Sequence, residues 1–545
     1  MKSLVSLAIC LILAVTVTAR SVQDSFNWRS AWHLPGRNAQ AVPAMGNATF
    51  EQLIDHDNPS LGTFSQFYYY STEFWKGPGS PIVLFTPGEV NVTGYQSYLS
   101  TNRTTGVEAQ KIGAAVIVLE HRYWGMSSPF SDLTTANMTY LTLPNAIADL
   151  TYFAQKATLP FTNNGETKSN AADVPWVLMG GSYSGNLAAW TQSVAPGTFW
   201  AYHASSAPVE AVSDYYGYFL PVQLGMPANC SKDVSLVIDY MDGVFTNGTA
   251  SEIANLKAMF KLSNLESDDV GAALENAPWL WQGNQLYTGY SAFFEWCDYV
   301  EGAITTSSNG TTSVPTNNTL PGAEGVGLQK ALQGYATWWN TVQLPGYCEG
   351  YHYADFSGTY NTDCLDTHNA TNPLFVDTSL SNTADRQWVW MTCNEPFGYW
   401  QDGAPTSRPS IVSRLVTADY WIRQCGLYFP TGPQGQTYGI AKGKTEADVN
   451  AYTGGWDLAS NSTRLIFANG GYDPWREATV SSDLRPNGPV VSTSQAPINI
   501  VPGGFHTSDL VTQNGVVNAS CQAVIDKEVQ QLADWVAEWP GSKQQ

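Results

Sequence analysis

An α/β architecture, a mostly parallel sheet interrupted by a large helical insertion, is what this 545-residue sequence predicts. Three observations carry that reading. Short continuous apolar runs, "PIVLFTPGE" (81–89), "AAVIVLEHR" (114–122) and "PWVLMGG" (175–181), have the composition of strands covered on both faces. Segments with helical spacing follow them. After a stretch of different texture, about residues 210–430, the same alternation resumes in "TRLIFANGGYDPW" (463–475) and "INIVPGGFH" (498–506).

Each element has its own warrant. The opening "MKSLVSLAICLILAVTVTA" joins Lys2 to an apolar run and to small residues at Val17 and Ala19. This is the pattern of a secretory signal cleaved near Ala19, and the run is short for a membrane anchor. Residues 20–44 lack a period and read as a pro-segment or an N-terminal arm. "FSQFYYYSTEFW" alternates loosely, as an antiparallel hairpin strand does. Pro144 opens a helix in which Ile147, Leu150 and Phe153 recur on one face. "SGNLAAWTQSV" is helical until Pro196, and "FWAYHASSAPV" resumes strand character. The insertion contains "SKDVSLVIDYMDGVF", "SEIANLKAMFKL" and "GVGLQKALQGYATWWNTV", separated by polar loops such as "TTSSNGTTSVPTNNT". A last helix carries Ile525, Val529, Leu532 and Val536 on one side. The expected division is signal 1–19, arm 20–44, sheet domain 45–209 and 431–545, and helical cap 210–430.

Composition excludes several functions. The formal net charge is −21, and it becomes −22 once Lys2 leaves with the signal. Such a surface repels nucleic-acid phosphates, and it is more at ease in mildly acidic surroundings. No later segment approaches a membrane-spanning length. The cysteines beyond the signal are Cys230, Cys297, Cys348, Cys364, Cys393, Cys425 and Cys521; their wide spacing suits up to three disulfides and one leftover thiol in an oxidising compartment. Sequons at Asn47, Asn91, Asn102, Asn137, Asn229, Asn247, Asn309, Asn317, Asn369, Asn461 and Asn518 place N-linked glycans on the expected surface. No CxxC or HExxH suggests a metal, and no GxGxxG follows a suitable strand, so no cofactor is expected.

The chemistry starts at "GGSYSG" (180–185). A strand feeds directly into Ser182 and a helical pattern follows, the arrangement of a nucleophile elbow. Gly180 stands two before Ser182, but Ser184 replaces the second glycine of G-x-S-x-G. A Gly-Ser turn is the bland reading, and Ser184 is a second candidate nucleophile. The partners decide. An elbow in this kind of fold, the α/β-hydrolase fold, needs a carboxylate and then a histidine later in the chain. His506 is the sole histidine beyond residue 368, and two glycines precede it. Asp473 sits in the turn after a strand, whereas its competitor Asp457 precedes that strand. Asp473 would orient His506, and His506 would take the Ser182 proton. Backbone N–H groups of Tyr183 and of Gly88 or Glu89 are the candidate oxyanion donors.

With these residues in place, "EHRYWGMSSPF" (120–130), "LTLPNAIADL", "GGSYSG", "APGTFWAYHASSAPVEA", "CNEPFGYW" and "NGGYDPW" resemble the proline-specific serine carboxypeptidase family. That family includes lysosomal Pro-X carboxypeptidase and dipeptidyl peptidases, and the secreted fungal acid prolyl endopeptidases are closest in appearance. The resemblance implies an α/β-hydrolase domain, a helical cap with several disulfides, and cleavage after proline. It places the triad on Ser182, Asp473 and His506, and Trp475 in the wall of the proline pocket. A flat, apolar pyrrolidine ring lacking an N–H suits an aromatic wall. The chain departs from the pattern at Asn186, where relatives often have Met, and at Thr507, where fungal relatives tend to have Cys.

Other residues keep two readings. Glu395 faces the cleft from the cap, recognising a substrate amine or tuning pH response, or it is a salt-bridged or solvated carboxylate. Trp388 and Trp390 read as core more than pocket. His121 and Arg122 read as a structural network near the sheet top. The leading expectation is a secreted serine peptidase cutting on the carboxyl side of proline in proline-containing peptides, as an endopeptidase at acidic pH. The alternatives are an exo-acting Pro-X carboxypeptidase or dipeptidyl peptidase, a carboxylesterase or lipase, and an inactive secreted binding module.

Overall fold

The computed structural model describes residues 44–162, 169–306, 312–313 and 320–541. The expected signal, residues 20–43 of the expected arm, and the sequons at Asn309 and Asn317 lie outside the described residues.

Eight strands form one sheet: β1 Met45–Leu53, β2 Thr63–Ser71, β3 Ile82–Phe85, β4 Ala115–Leu119, β5 Trp176–Gly181, β6 Ala201–Ser205, β7 Leu465–Gly470 and β8 Ile498–Val501. Their spatial order is β1-β2-β4-β3-β5-β6-β7-β8. β1 and β2 pair antiparallel, as do β2 and β4, and all remaining neighbours are parallel. With its exchange of β3 and β4 and its parallel run to β8, this is the α/β-hydrolase sheet. Every residue of β3, β4, β6 and β7 is buried, which accounts for the unbroken apolar runs of β3 and β4. β1 has no counterpart in the sequence expectation. It is an edge strand with one fully buried residue, and Gly46 leaves room for the Tyr70 ring across the pair.

Alternate side chains serve opposite faces. Ile82, Leu84, Ile117, Leu119, Trp176 and Leu178 join one core. It includes Ile147, Leu150 and Phe153 of α2 (Leu143–Lys156) and Leu187 and Trp190 of α3 (Tyr183–Val194). Val83, Phe85, Val116, Val118, Val177 and Met179 join a second, with Ala109 of α1 (Thr104–Ile112) and Leu532, Trp535 and Val536 of the last helix (Ala519–Ala537). Thr142 caps α2, its hydroxyl accepting from Asn145 N at 3.3 Å, and Pro144 sits in the first turn, where its missing N–H costs no bond.

Between β6 and β7 the chain is mainly helical. Its longer helices include α4 Ala228–Asn247, α5 Ala292–Val300, α6 Leu328–Trp338, α7 Arg386–Asn394 and α8 Ala418–Tyr428. Three disulfides tie this region together: Cys230–Cys297 joins α4 to α5, Cys348–Cys364 closes a local loop, and Cys393–Cys425 joins α7 to α8. Cys521 is buried and free. A short parallel pairing of 212–214 with 398–400 fixes the insertion's return beside the sheet. α9 Glu446–Thr453 then packs on α3, and α10, the last helix, closes the far face.

Candidate active site

Ser182 stands between β5 and α3 with φ 62° and ψ −134°, a conformation L residues rarely adopt. Holding it costs on the order of 1–3 kcal/mol, which the surrounding structure must supply. The glycines explain how the bend closes. A Cβ on Gly180 would lie 2.0 Å from Ser184 O, and one on Gly185 would lie 2.7 Å from Ser205 O. The close approach to β6 therefore falls on Gly185, one position later than the strict motif places its glycine. Ser184, the second candidate nucleophile, is fully buried. Its hydroxyl donates to Gly181 O at 2.7 Å and accepts from Gly181 N at 2.9 Å, so it braces the bend from inside.

His506 is reached from β8 through Gly503, at φ 66°, and Gly504. Gly470, which ends β7, lets that loop cross: a Cβ there would stand 2.3 Å from Phe505 O and 2.5 Å from Gly504 O. His506 Nδ1 lies 2.9 Å from Asp473 Oδ1, and the same oxygen accepts from Trp475 N at 3.0 Å. Asp473 is fully buried and His506 is 7 % exposed. A carboxylate on Nδ1 fixes the tautomer that carries hydrogen there and leaves Nε2 with its lone pair. Nε2 makes no hydrogen bond among the described residues. The rival acid, Asp457, is exposed and pairs with Arg485 at 2.9 Å.

Two serines at the end of β6 bring the serine and histidine loops together. Ser182 N donates to Ser205 O at 3.0 Å, and Thr507 N donates to Ser206 Oγ at 2.8 Å. Gly181 completes the fit, since a Cβ there would meet Thr507 Cγ2 at 3.0 Å and Leu510 Cδ1 at 2.7 Å. The Tyr183 N–H opens α3 and is one of the amides a helix leaves without an internal acceptor. Gly88, at φ 81°, lies against the same turn; a Cβ there would stand 3.1 Å from Ser184 Cβ and 3.4 Å from Tyr183 Cδ1. Next to it, burial pushes the Glu89 carboxyl up to about 8, which keeps it neutral at acidic pH.

Trp475 forms one side of an aromatic box. Its ring stacks on Tyr215 at 5.7 Å and meets Tyr218 and Tyr399 edge-on at 5.3 and 5.4 Å. His506 lies 6.4 Å from it. Gln282 Oε1 accepts from both Trp475 Nε1 at 2.9 Å and Tyr218 Oη at 2.7 Å, locking the two rings. Asn186 is fully buried, and its amide donates to Tyr399 Oη at 3.4 Å; it reaches the box through that tyrosine. Tyr215, Tyr218 and Gln282 carry no local motif, so sequence reasoning missed them. It also missed Gln285, whose amide donates to His506 O at 2.9 Å.

Glu395 takes the second of its two readings: 3 % exposed, it accepts from Leu143 N at 3.1 Å and pairs with Lys444. Trp390 is core, donating to Leu141 O at 2.9 Å. Trp388 meets the Tyr183 ring edge-on at 5.3 Å. His121 Nε2 lies 3.3 Å from Tyr183 Oη, and burial lowers that histidine to about 4, holding it neutral. Buried Arg122 bonds Asp149 through Nε at 2.6 Å, and Asp149 also meets His56 at 2.8 Å.

Known proteins are similar in sequence to this chain along most of their length. Serine protease vicPa of Bipolaris victoriae is 41% identical over 495 residues, covering 91% of this chain and 89% of the relative. Serine protease vicPb of the same fungus is 38% identical, covering 93% and 92%. A probable extracellular serine carboxypeptidase of Arthroderma benhamiae is 27% identical, covering 98% and 74%. Among the described residues no helix is long and apolar enough to cross a membrane. The family profile "Serine carboxypeptidase S28" matches residues 52–311 and 335–514, and the chain therefore belongs to that family of serine-type hydrolases.

Proposed function

We propose that Ser182, His506 and Asp473 form a catalytic triad that hydrolyses peptide bonds through an acyl-enzyme. The carrying observation is the strained Ser182 turn and the His506–Asp473 pair, both anchored on Ser205 and Ser206. Ser182 Oγ attacks the scissile carbonyl carbon while His506 Nε2 takes its proton. Asp473 holds the imidazolium that forms. The oxyanion is received by the Tyr183 N–H and the Gly88–Glu89 backbone. As the tetrahedral intermediate collapses, the C–N bond breaks and His506 returns the proton to the departing amine. Water then attacks the ester carbon with its proton passing to His506, and Ser182 is regenerated with release of the new carboxylate.

The residue before the cut is proline in this proposal. The aromatic box beside His506 offers flat apolar walls whose polar edges are already satisfied by Gln282 and by backbone, so a ring without an N–H enters at no hydrogen-bonding loss. Action at the carboxyl end is favoured over the internal cutting that the fungal resemblance implied, because the family description and the Arthroderma relative both carry the carboxypeptidase name. The signal-like leader and three disulfides support export.

Two peptides ending in Pro-Xaa, one with a free carboxylate and one amidated, test the reading by mass spectrometry. Release of the last residue from the free peptide, at a rate at least tenfold above the amide, is expected. Internal cuts after proline in both would establish an endopeptidase instead. Ser182→Ala should remove all turnover while circular dichroism stays unchanged; turnover surviving in that folded variant would end the triad assignment.

A further inference from the structure

A second constellation lies beneath the catalytic loops. Glu108 of α1, His203 of β6, Asp509 in the turn Ser508–Leu510 and Glu528 of α10 are each fully buried. Three acids and one imidazole in a dry interior demand compensation, and Arg and Lys side chains make no ion pair with any of them among the described residues.

The bonds they do make divide each side chain into an engaged atom and an orphaned one. His203 Nδ1 lies 3.0 Å from Glu108 Oε1. Asp509 Oδ1 accepts from Ser205 Oγ at 2.6 Å. Glu528 Oε1 accepts from Asn499 Nδ2 at 3.1 Å, and Lys527 Nζ in turn braces Asn499 Oδ1 at 2.7 Å. The remaining atoms, His203 Nε2, Asp509 Oδ2, Glu528 Oε2 and Glu108 Oε2, have no hydrogen-bond partner. Three of them converge: Nε2 is 3.4 Å from Asp509 Oδ2 and 3.8 Å from Glu528 Oε2, and all three lie within 4.8 Å of one another.

We propose that these three atoms bind a structural Zn2+. A four-coordinate zinc with bonds of about 2.0–2.2 Å spaces its ligand atoms roughly 3.3–3.6 Å apart, close to the 3.4 and 3.8 Å from His203 Nε2 to the two carboxylates. The supporting contacts follow the pattern of zinc sites: the imidazole gives its other N–H to a carboxylate, and each ligating carboxylate is held by its second oxygen. Glu108 is that orienting carboxylate on the far side of the ring, and a water would complete the shell. Calcium and magnesium fit poorly, since both favour cages of oxygen and have little use for an imidazole. The four residues come from four separate parts of the chain, so no motif spacing signals the site.

The ion would pin the turn after His506. Asp509 stands three residues beyond the catalytic base, and Ser205, which bonds Asp509, also receives the Ser182 N–H. Zinc would thus clamp α1, β6, α10 and the histidine loop from below without touching substrate.

The test uses the full secreted chain, produced with Zn2+ in the medium and desalted at pH 7, since metal binding competes with protons for its ligands. Elemental analysis should find about one zinc per chain, and an anomalous map at the zinc edge should place it on His203 Nε2, Asp509 Oδ2 and Glu528 Oε2. Glu528→Gln should lower zinc content at least tenfold while Ser182 still reacts with a fluorophosphonate. Zinc below a tenth of an equivalent in the wild-type protein would overturn the proposal in favour of a cluster neutralised by protons alone. A zinc peak elsewhere, or wild-type zinc content in folded Glu528→Gln, would overturn it equally.

Discussion

Gly470→Ala tests the joint that would position the proposed catalytic base. The added methyl would begin 2.3 Å from Phe505 O and 2.5 Å from Gly504 O, both backbone atoms that no rotamer change can move aside. Ordinary contact requires the loop to retreat by about 1 Å. His506 follows directly, so its imidazole shifts relative to Ser182 and its 2.9 Å bond to Asp473 stretches. A displacement of about 1 Å costs roughly 100-fold in rate when the group must be aligned. Overpacking of this kind also costs about 1–3 kcal/mol of stability. The expected outcome is a folded protein with kcat/KM on a prolyl peptide reduced about 100-fold and slower labelling by a fluorophosphonate. Gly243→Ala is the control: it lies in α4 with open space around its Cβ position, and it should leave kcat/KM unchanged while stabilising the helix by up to about 1 kcal/mol. If Gly470→Ala keeps kcat/KM within threefold of wild type, the loop does not position the base as described.

Gln282→Leu leaves the Trp475 and Tyr218 donors without their acceptor, at about 1–3 kcal/mol for each unpaired group; kcat/KM on prolyl peptides should fall 10- to 100-fold while hydrolysis of a small activated ester changes less than threefold. Stability should decline as pH rises from about 5 to 8. Burial raises Glu89, Glu301 and Asp402 to about 8, with neighbouring carboxylates adding to the effect, and burial raises Asp385 to about 7. In that window the folded chain binds more protons than the unfolded one, whose carboxyls titrate near 4, so each pH unit favours unfolding. Thermal denaturation should give a higher Tm at pH 5 than at pH 8, and the reverse order would contradict the assignment. Cys521 is buried and its thiol is pushed up to about 12, chiefly by burial; it should resist a thiol-specific disulfide reagent in the native state and react fully in denaturant.

What could be read from the chain depended on whether a residue's role was local. The central strands were legible because both faces are covered, and β5 and the Ser182 bend were legible because strand, turn and helix are contiguous. β1 escaped notice because edge exposure and Gly46 blur its alternation. His506 and Asp473 could be selected by chain order. By contrast, the box of Tyr215, Tyr218, Gln282 and Trp475 and the cluster of Glu108, His203, Asp509 and Glu528 are assembled entirely by folding, with no periodicity to announce them. Glu395 shows the converse: a carboxylate beside a recognisable motif looked available for substrate, and only its burial against Leu143 N and Lys444 revealed a structural task.

The serine pair at the end of β6 has a consequence for how a cell can make such an enzyme. The bond from Thr507 to Ser206 spans 301 positions, and Asp473 and His506 are both made long after Ser182. With the proposed triad, a nascent chain that has made Ser182 alone has neither the proton acceptor nor the carboxylate. The order of translation itself would then hold hydrolysis back until Asp473 and His506 have followed Ser182.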